Sequence, residues 1–233
     1  MTWGIYETSS YGAYLLDGEY VGRREALEDY YDNVMDDEER ATYGDFKFLN
    51  YKQNVAKKFS AEPGSISNDL PLGPVLDHEV PKEYKLYKKP AKDLSGLVSM
   101  NGIHAVSEEL KTAIEALEPG VHEFWPIRLT LPSGDAWPVQ YYSMRIGRFL
   151  DSFRPDASDE GSWEKPSILY FVEIPDKKHF AGLGMSEKAI GASHLWRARH
   201  LGDPRICMSD EMQAAMKAAG FKGSKLYRMK DVP

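Results

Sequence analysis

The sequence predicts an α+β protein in which a mixed or antiparallel sheet carries two similar serine-capped helices, with an acidic helix nearer the N-terminus. Three observations lead there. Apolar residues alternate over residues 125–141, the period of a half-buried hairpin. They recur at three- and four-residue steps from Glu108 and again from Asp210, the period of an amphipathic helix. Each of those helical stretches follows a short apolar run that ends in a serine. Composition agrees: of 233 residues 42% are hydrophobic and 28% charged, and 14 Tyr, 9 Phe and 5 Trp are too many for a solvated coil.

Residues 3–6 and 13–16 read as short strands around a Ser-Ser-Tyr-Gly turn. A helix is expected over residues 24–39, where Leu27, Tyr30, Tyr31, Val34 and Met35 form one apolar stripe and the other face is almost all carboxylate. Gly44 lies just past its end. Residues 60–90 hold Pro63, Pro71, Pro74, Pro81 and Pro90, so an extended wrap is expected there. This stretch divides the chain into an N-terminal region, residues 1–90, and a core, residues 91–233.

In the core, residues 103–106 read as a strand and 108–117 as a helix. Ser107 can accept from the first free N–H groups, and Glu108 and Glu109 sit at the positive end of the helix dipole. Pro119-Gly120 ends the helix. The hairpin turns at residues 132–135. Tyr142, Met144 and Ile146 take the opposite phase to Trp137, Val139 and Tyr141, so a bulge or a strand buried on both faces is expected near Tyr141. Residues 156–165 read as a loop, 167–174 as a central strand and 205–208 as a strand. The segment from Met208 echoes the one from Val106: serine, acid in the first turn, then Met212, Ala215, Met216 and Ala219 against Leu110, Ala113, Ile114 and Leu117. Each is followed by glycine and a short apolar stretch, 124–127 or 226–229.

The charge is uneven. Residues 1–90 carry net −6, residues 91–195 net −5, and the remainder net +4. Between Asp17 and Asp45 stand 11 carboxylates against Arg23, Arg24 and Arg40. A nucleic-acid binder shows the reverse balance, so no nucleic-acid partner is expected. No apolar stretch approaches the roughly 20 residues that span a bilayer, and the first residues lack the basic start and apolar run of a signal peptide. The single Cys207 cannot pair within the chain and fits a reducing compartment.

Catalytic patterns are absent. The chain has no GxSxG, no HExxH, no P-loop and no GxGxxG opening a helix. Gly182-Leu-Gly-Met-Ser186 lacks the lysine of a phosphate cradle and reads as a turn capping a short helix from Glu187. Asp32, Asp36 and Asp37 lack the glycine and the twelfth-position Glu of a calcium loop. No two of the six histidines share metal spacing on a helix face, and nothing in the spacing of His194, His200, Asp203 and Cys207 brings them together. No metal, cofactor or catalytic residue is expected.

Two stretches carry a resemblance. One runs from Glu109 through Pro119-Gly-Val-His-Glu-Phe-Trp-Pro-Ile127 to Tyr141-Tyr142 and Leu150-Asp151-Ser152. The other is Met208-Ser-Asp-Glu-Met through Gly220-Phe-Lys-Gly-Ser-Lys-Leu-Tyr227. Together, from about Gly96 to the C-terminus, they resemble the immunity proteins of bacterial contact-dependent polymorphic toxin systems, first catalogued as a domain of unknown function. Ser143 and Met144 stand where many members place an asparagine. The resemblance implies a non-enzymatic cytoplasmic protein that binds and neutralises a cognate toxin, with no membrane partner. A regulatory or structural binding module and a small-molecule enzyme are the other classes, and the neighbouring reading frame separates them. If the toxin is a nuclease with a basic cleft, Glu28, Asp29, Asp32, Asp36, Asp37, Glu38 and Glu39 are the expected contact. The oligomeric state is not set by the sequence.

Overall fold

A computed structural model describes residues 1–67, 70–91, 93–166, 168–203 and 206–233. Ser167 and Arg205, the first residues of two expected strands, lie outside the described residues, as does the side chain of Asp203.

At the centre is a small barrel. Strands Leu97–Met100, Ile103–Ser107, Tyr141–Arg145, Glu123–Thr130 and Glu83–Leu86 lie side by side in that order. Leu15–Leu16 pairs with the first of them and Gly18–Tyr20 with the last. Only Asp17 separates these two pieces, so one bent segment closes the ring of six staves. Leu16, Tyr84, Val98, Ala105, Ile127 and Leu129 fill the interior. Alternate residues of the same strands point outward, as the period of two requires.

The second large sheet is open. Its order is Phe149–Leu150, Leu195–Ala198, Cys207–Ser209, Thr2–Tyr6 and Lys225–Arg228. Helices Glu108–Leu117 and Asp210–Ala218 pack on each other. Their stripes share one core with Val106 from the barrel wall and Ile5 and Met208 from the open sheet. Ile114 and Met216 are both 2% exposed, and each such side chain contributes about 1.5–3 kcal/mol of burial. The Ser107 hydroxyl accepts from the Leu110 N–H and that of Ser209 from the Met212 N–H. A third serine does the same: Ser186 accepts from Ala189 N–H at the start of helix Glu187–Ile190.

The echo in the sequence is an echo in register. In the barrel Val106 pairs with Leu97 on one side and Tyr142 on the other, and Tyr142 pairs with Pro126. In the open sheet Met208 pairs with Leu195 and Trp3, and Trp3 pairs with Arg228. The two four-stranded sets are therefore superposable in order and register, with Trp3 standing where Tyr142 stands. Both aromatics donate to the first residue of the neighbouring helix, Tyr142 to Glu108 and Trp3 Nε1 to Asp210 at 2.7 Å. In the first unit the third strand is local in sequence; in the second it is Thr2–Tyr6, from the other end of the chain.

The two units clasp each other reciprocally. The first helix exits against the first strand of the open sheet, where the Glu118 carboxylate accepts from the backbone N–H groups of His194 (3.0 Å) and Leu195 (2.9 Å). The second exits against the first strand of its partner unit: Gly96 N–H donates to the Gly220 carbonyl, and Lys222 N–H to Ser95. A Cβ on Gly96 would lie 2.3 Å from the Ala219 carbonyl oxygen, and one on Gly147 2.0 Å from that of Val121. Only glycine permits either approach.

Several expectations change. The single acidic helix over residues 24–39 is two helices. Helix Arg23–Asp29 widens into a π-turn at Tyr30–Val34 and stops at Met35, whose backbone is extended. Asp36 then accepts from Glu39 N–H and starts helix Asp37–Ala41, so the acid run is a cap and first turn rather than a helix interior. A further helix, Lys47–Lys58, not among the expected elements, follows; its apolar stripe of Phe48, Tyr51 and Val55 is interrupted because the buried positions include Asn54 and Lys58. The wrap over residues 60–90 contains a small hairpin, a 3-10 turn at Asp77–Glu79 and a barrel stave. Strands from before residue 90 enter both large sheets, so hydrogen bonding crosses the boundary expected there. The central strand expected at residues 167–174 is reduced to Tyr170–Val172 in a three-stranded sheet, with Ile168 85% exposed: its continuous apolar run is not buried on two faces. Near Tyr141 the pairing slips, from Thr130 with Ala136 to Ile127 with Tyr141, where the two apolar phases of the return strand meet.

Candidate functional site

The seven carboxylates sit on the two short N-terminal helices and the turn between them. Glu28 is held by Arg24 Nε at 2.7 Å, and Asp29 accepts from Asn33 at 2.8 Å. Asp36 is committed to its cap. Asp32, Glu38 and Glu39 are exposed, and the Asp37 side chain is fully so. The break at Met35 separates Glu28, Asp29 and Asp32 from Asp36, Asp37, Glu38 and Glu39. Arg40 ties the groups together: it donates to the Met35 carbonyl (2.7 Å) and the Asp32 carbonyl (3.3 Å), and lies 3.4 Å from Asp37. Arg23 is held between the rings of Tyr20 and Phe59. All three arginines of this stretch are thus engaged locally, and the outer face stays negative.

Beneath the acid lies an aromatic base. Tyr31, Tyr43, Phe48 and Tyr51 pack edge to face or tilted. The Tyr30 ring stacks on His78 at 3.7 Å, and the Tyr51 hydroxyl meets His78 Nε2 at 2.7 Å. Burial lowers the His78 pKa despite the neighbouring Glu79. Burial also raises Tyr43 to about 12, with Glu39 adding to the shift. Lys58 and Glu79 form a buried ion pair at 2.5 Å, and Glu79 also accepts from Leu76 N–H. This layer meets the barrel where Phe59 packs edge-on against Trp125 at 5.7 Å.

His194 contacts Ser209 at 2.9 Å and Glu211 at 3.8 Å, whereas His200 faces Asp151 at 3.6 Å. Cys207 is fully buried. Among the described residues no group of three or more His, Cys, Asp or Glu could hold a metal ion. Glu118, which nothing in the sequence marked, accepts four hydrogen bonds: from the two backbone groups above, His122 Nε2 and Arg148 Nε. Burial pushes its pKa up, but these donors together hold it below the usual carboxylate range. Gly147 N–H donates to His122 Nδ1, which fixes the proton on Nε2.

Two exposed apolar residues also escaped notice. Phe46 is 71% exposed and Leu49 46%. The signal was available, since both fall out of phase with the stripe of Phe48, Tyr51 and Val55.

Over residues 24–231 the chain matches the profile of the Immunity protein family (Imm11). It belongs to that family. The match begins well before Gly96, so the acidic helices are part of the family's unit as much as the core is. No curated protein matches the chain. Membership of an immunity family implies a toxin as binding partner and brings no enzymatic role with it. Among the described residues no helix is long and apolar enough to cross a membrane.

Proposed function

We propose that this Imm11 protein works in the cytoplasm by binding one cognate toxin directly and blocking it, without turnover, and that the toxin is a nuclease. The observation that carries the reading is the net-negative face of an immunity-family chain: Glu28, Asp29, Asp32, Asp36, Asp37, Glu38 and Glu39, of which Glu28 is paired with Arg24 and Asp37 lies near Arg40, while the rest have no cationic partner among the three arginines of this stretch. Like charges this close repel, at some tenths of a kcal/mol per pair, and a basic cleft that holds a nucleic-acid backbone would relieve them. The carboxylates would steer the toxin in and occupy the place of the phosphates.

The test is the association rate with the product of the neighbouring reading frame, measured from low to high salt. The field decays over roughly 8 Å at physiological ionic strength, so wild type should associate fast at low salt and slow steeply as salt rises. D32N/D36N/D37N should associate more slowly and with a flatter slope. Equal rates and equal slopes would remove the acidic face from the interface.

A further inference from the structure

The start of helix Lys47–Lys58 is built in an unusual way. Its capping position is held by Phe46, which offers no side-chain acceptor to the free N–H groups. The next residue, Lys47, has φ 37°, in the left-handed region that favours glycine; Asn101 is the other non-glycine residue among those described with a positive φ. Neither feature helps the helix. Together they turn the chain so that Phe46 stands out at 71% exposure, with Leu49 at 46% one turn on, bonded to it through Leu49 N–H and the Phe46 carbonyl. Underneath, Phe48 and Tyr51 face the other way, into the aromatic base. The turn seats Tyr43 and Phe48, on either side of it, in the aromatic base, closed by Asn50 Nδ2 donating to the Tyr43 carbonyl at 2.8 Å, and it leaves the Phe46 ring in water, which is where a functional role is to be sought.

The surroundings identify the occupant. Asp45 precedes Phe46 and Lys47 follows it, and the run Asp36 to Glu39, which makes the wider face acidic, lies one short helix upstream. A central aromatic with a charged rim is the anatomy of an interface hot spot. We propose that Phe46, with Leu49, is the anchor of the toxin interface, inserting into an apolar pocket whose rim on the toxin is basic. The inference rests on the immunity reading and assigns the work within it: carboxylates set the rate of encounter, and Phe46 sets the lifetime of the complex. A second copy of this chain would bring acid against acid and fits the surface less well.

The experiment measures binding of wild type, F46A, L49A, D37N/E38Q/E39Q and the distant control I168A to the product of the neighbouring reading frame, with melting curves and sedimentation of each protein alone. Phe46 supports no core, so F46A should melt as wild type does. It should bind roughly 30-fold more weakly or worse, almost all of it in the dissociation rate. L49A should lose less, D37N/E38Q/E39Q should lose mainly association rate, and I168A should match wild type. Unchanged affinity and dissociation of F46A, with wild type binding tightly, overturns the anchor and leaves the immunity reading standing. A wild-type dimer that F46A converts to monomer assigns the patch to self-association and also overturns it. Failure of wild type to bind overturns the immunity reading, and the anchor with it.

Discussion

The barrel unit and the open-sheet unit solve one packing problem with the same four strands and one helix, but they draw the third strand from different places. In the barrel it is Tyr141–Arg145, reached through a hairpin from its neighbour. In the open sheet it is Thr2–Tyr6, more than 200 residues from both of its partners, Cys207–Ser209 and Lys225–Arg228. The physics at each position is the same. Ile5 replaces Met144, Trp3 replaces Tyr142, and both pairs face the shared core. What differs is the route: the barrel unit can form from local contacts, while the second unit must wait for its first residues to return to its last. The difference teaches that residues 2–6, far from their partners in sequence, are a structural member of the second unit.

The strongest way to break this comparison is to remove the long-range strand. Deleting residues 1–6 should abolish cooperative folding of the open sheet, and I5A should cost about 2–5 kcal/mol, in the same range as M144A, by denaturant titration. If the deletion melts like the full chain, the equivalence is wrong. Next is the clasp between the units. E118A would leave Arg148, His122 and two backbone N–H groups without their acceptor, and a loss of about 3–5 kcal/mol is expected. A smaller effect at that position would mean that the Glu118 half of the clasp contributes little to holding the units together.

Smaller still are the caps. S107A and S209A should each lose about 1 kcal/mol and by similar amounts, since the two caps are equivalent. S186A, on a helix of four residues, should lose less. A clear inequality between the first two would show that the repeats carry unequal shares of the stability. The pH dependence should be the mildest test. His78 has a lowered pKa, so its contribution is whole above its ordinary 6.5 and is lost as pH falls through the depressed value. Glu118 is also lowered, so its share is whole above the ordinary carboxylate range and is lost at still lower pH. Melting temperature should therefore fall in two stages on acidification, and H78Q should remove the first.

Serine caps and apolar stripes were legible because each is local: Ser107 with Leu110 and Ser209 with Met212 lie within one turn. The hairpin was legible for the same reason. Closure of the barrel was not, since it depends on the bend at Asp17 bringing Leu15–Leu16 and Gly18–Tyr20 to strands from distant parts of the chain. Helix Lys47–Lys58 was hidden by the polar Asn54 and Lys58 on its buried face, whose partners come from elsewhere, as Glu79 does for Lys58. The acidic residues of the candidate site were visible as composition. Their division into a first helix and a capped second one follows from Asp36 taking a hydrogen bond that a continuous helix would have used. Glu118 carried no signal, because a buried carboxylate is defined by donors 4, 30 and about 76 residues away.

The central claim is that this chain protects a cell by engaging a toxin. The most direct measurement is growth of a sensitive host expressing the product of the neighbouring reading frame, alone and with this protein, alongside recovery of the two as a complex. Full growth with wild type, and a complex that survives purification, is the result expected. Arrested growth in the presence of well-expressed, folded protein, with no complex formed, would contradict it.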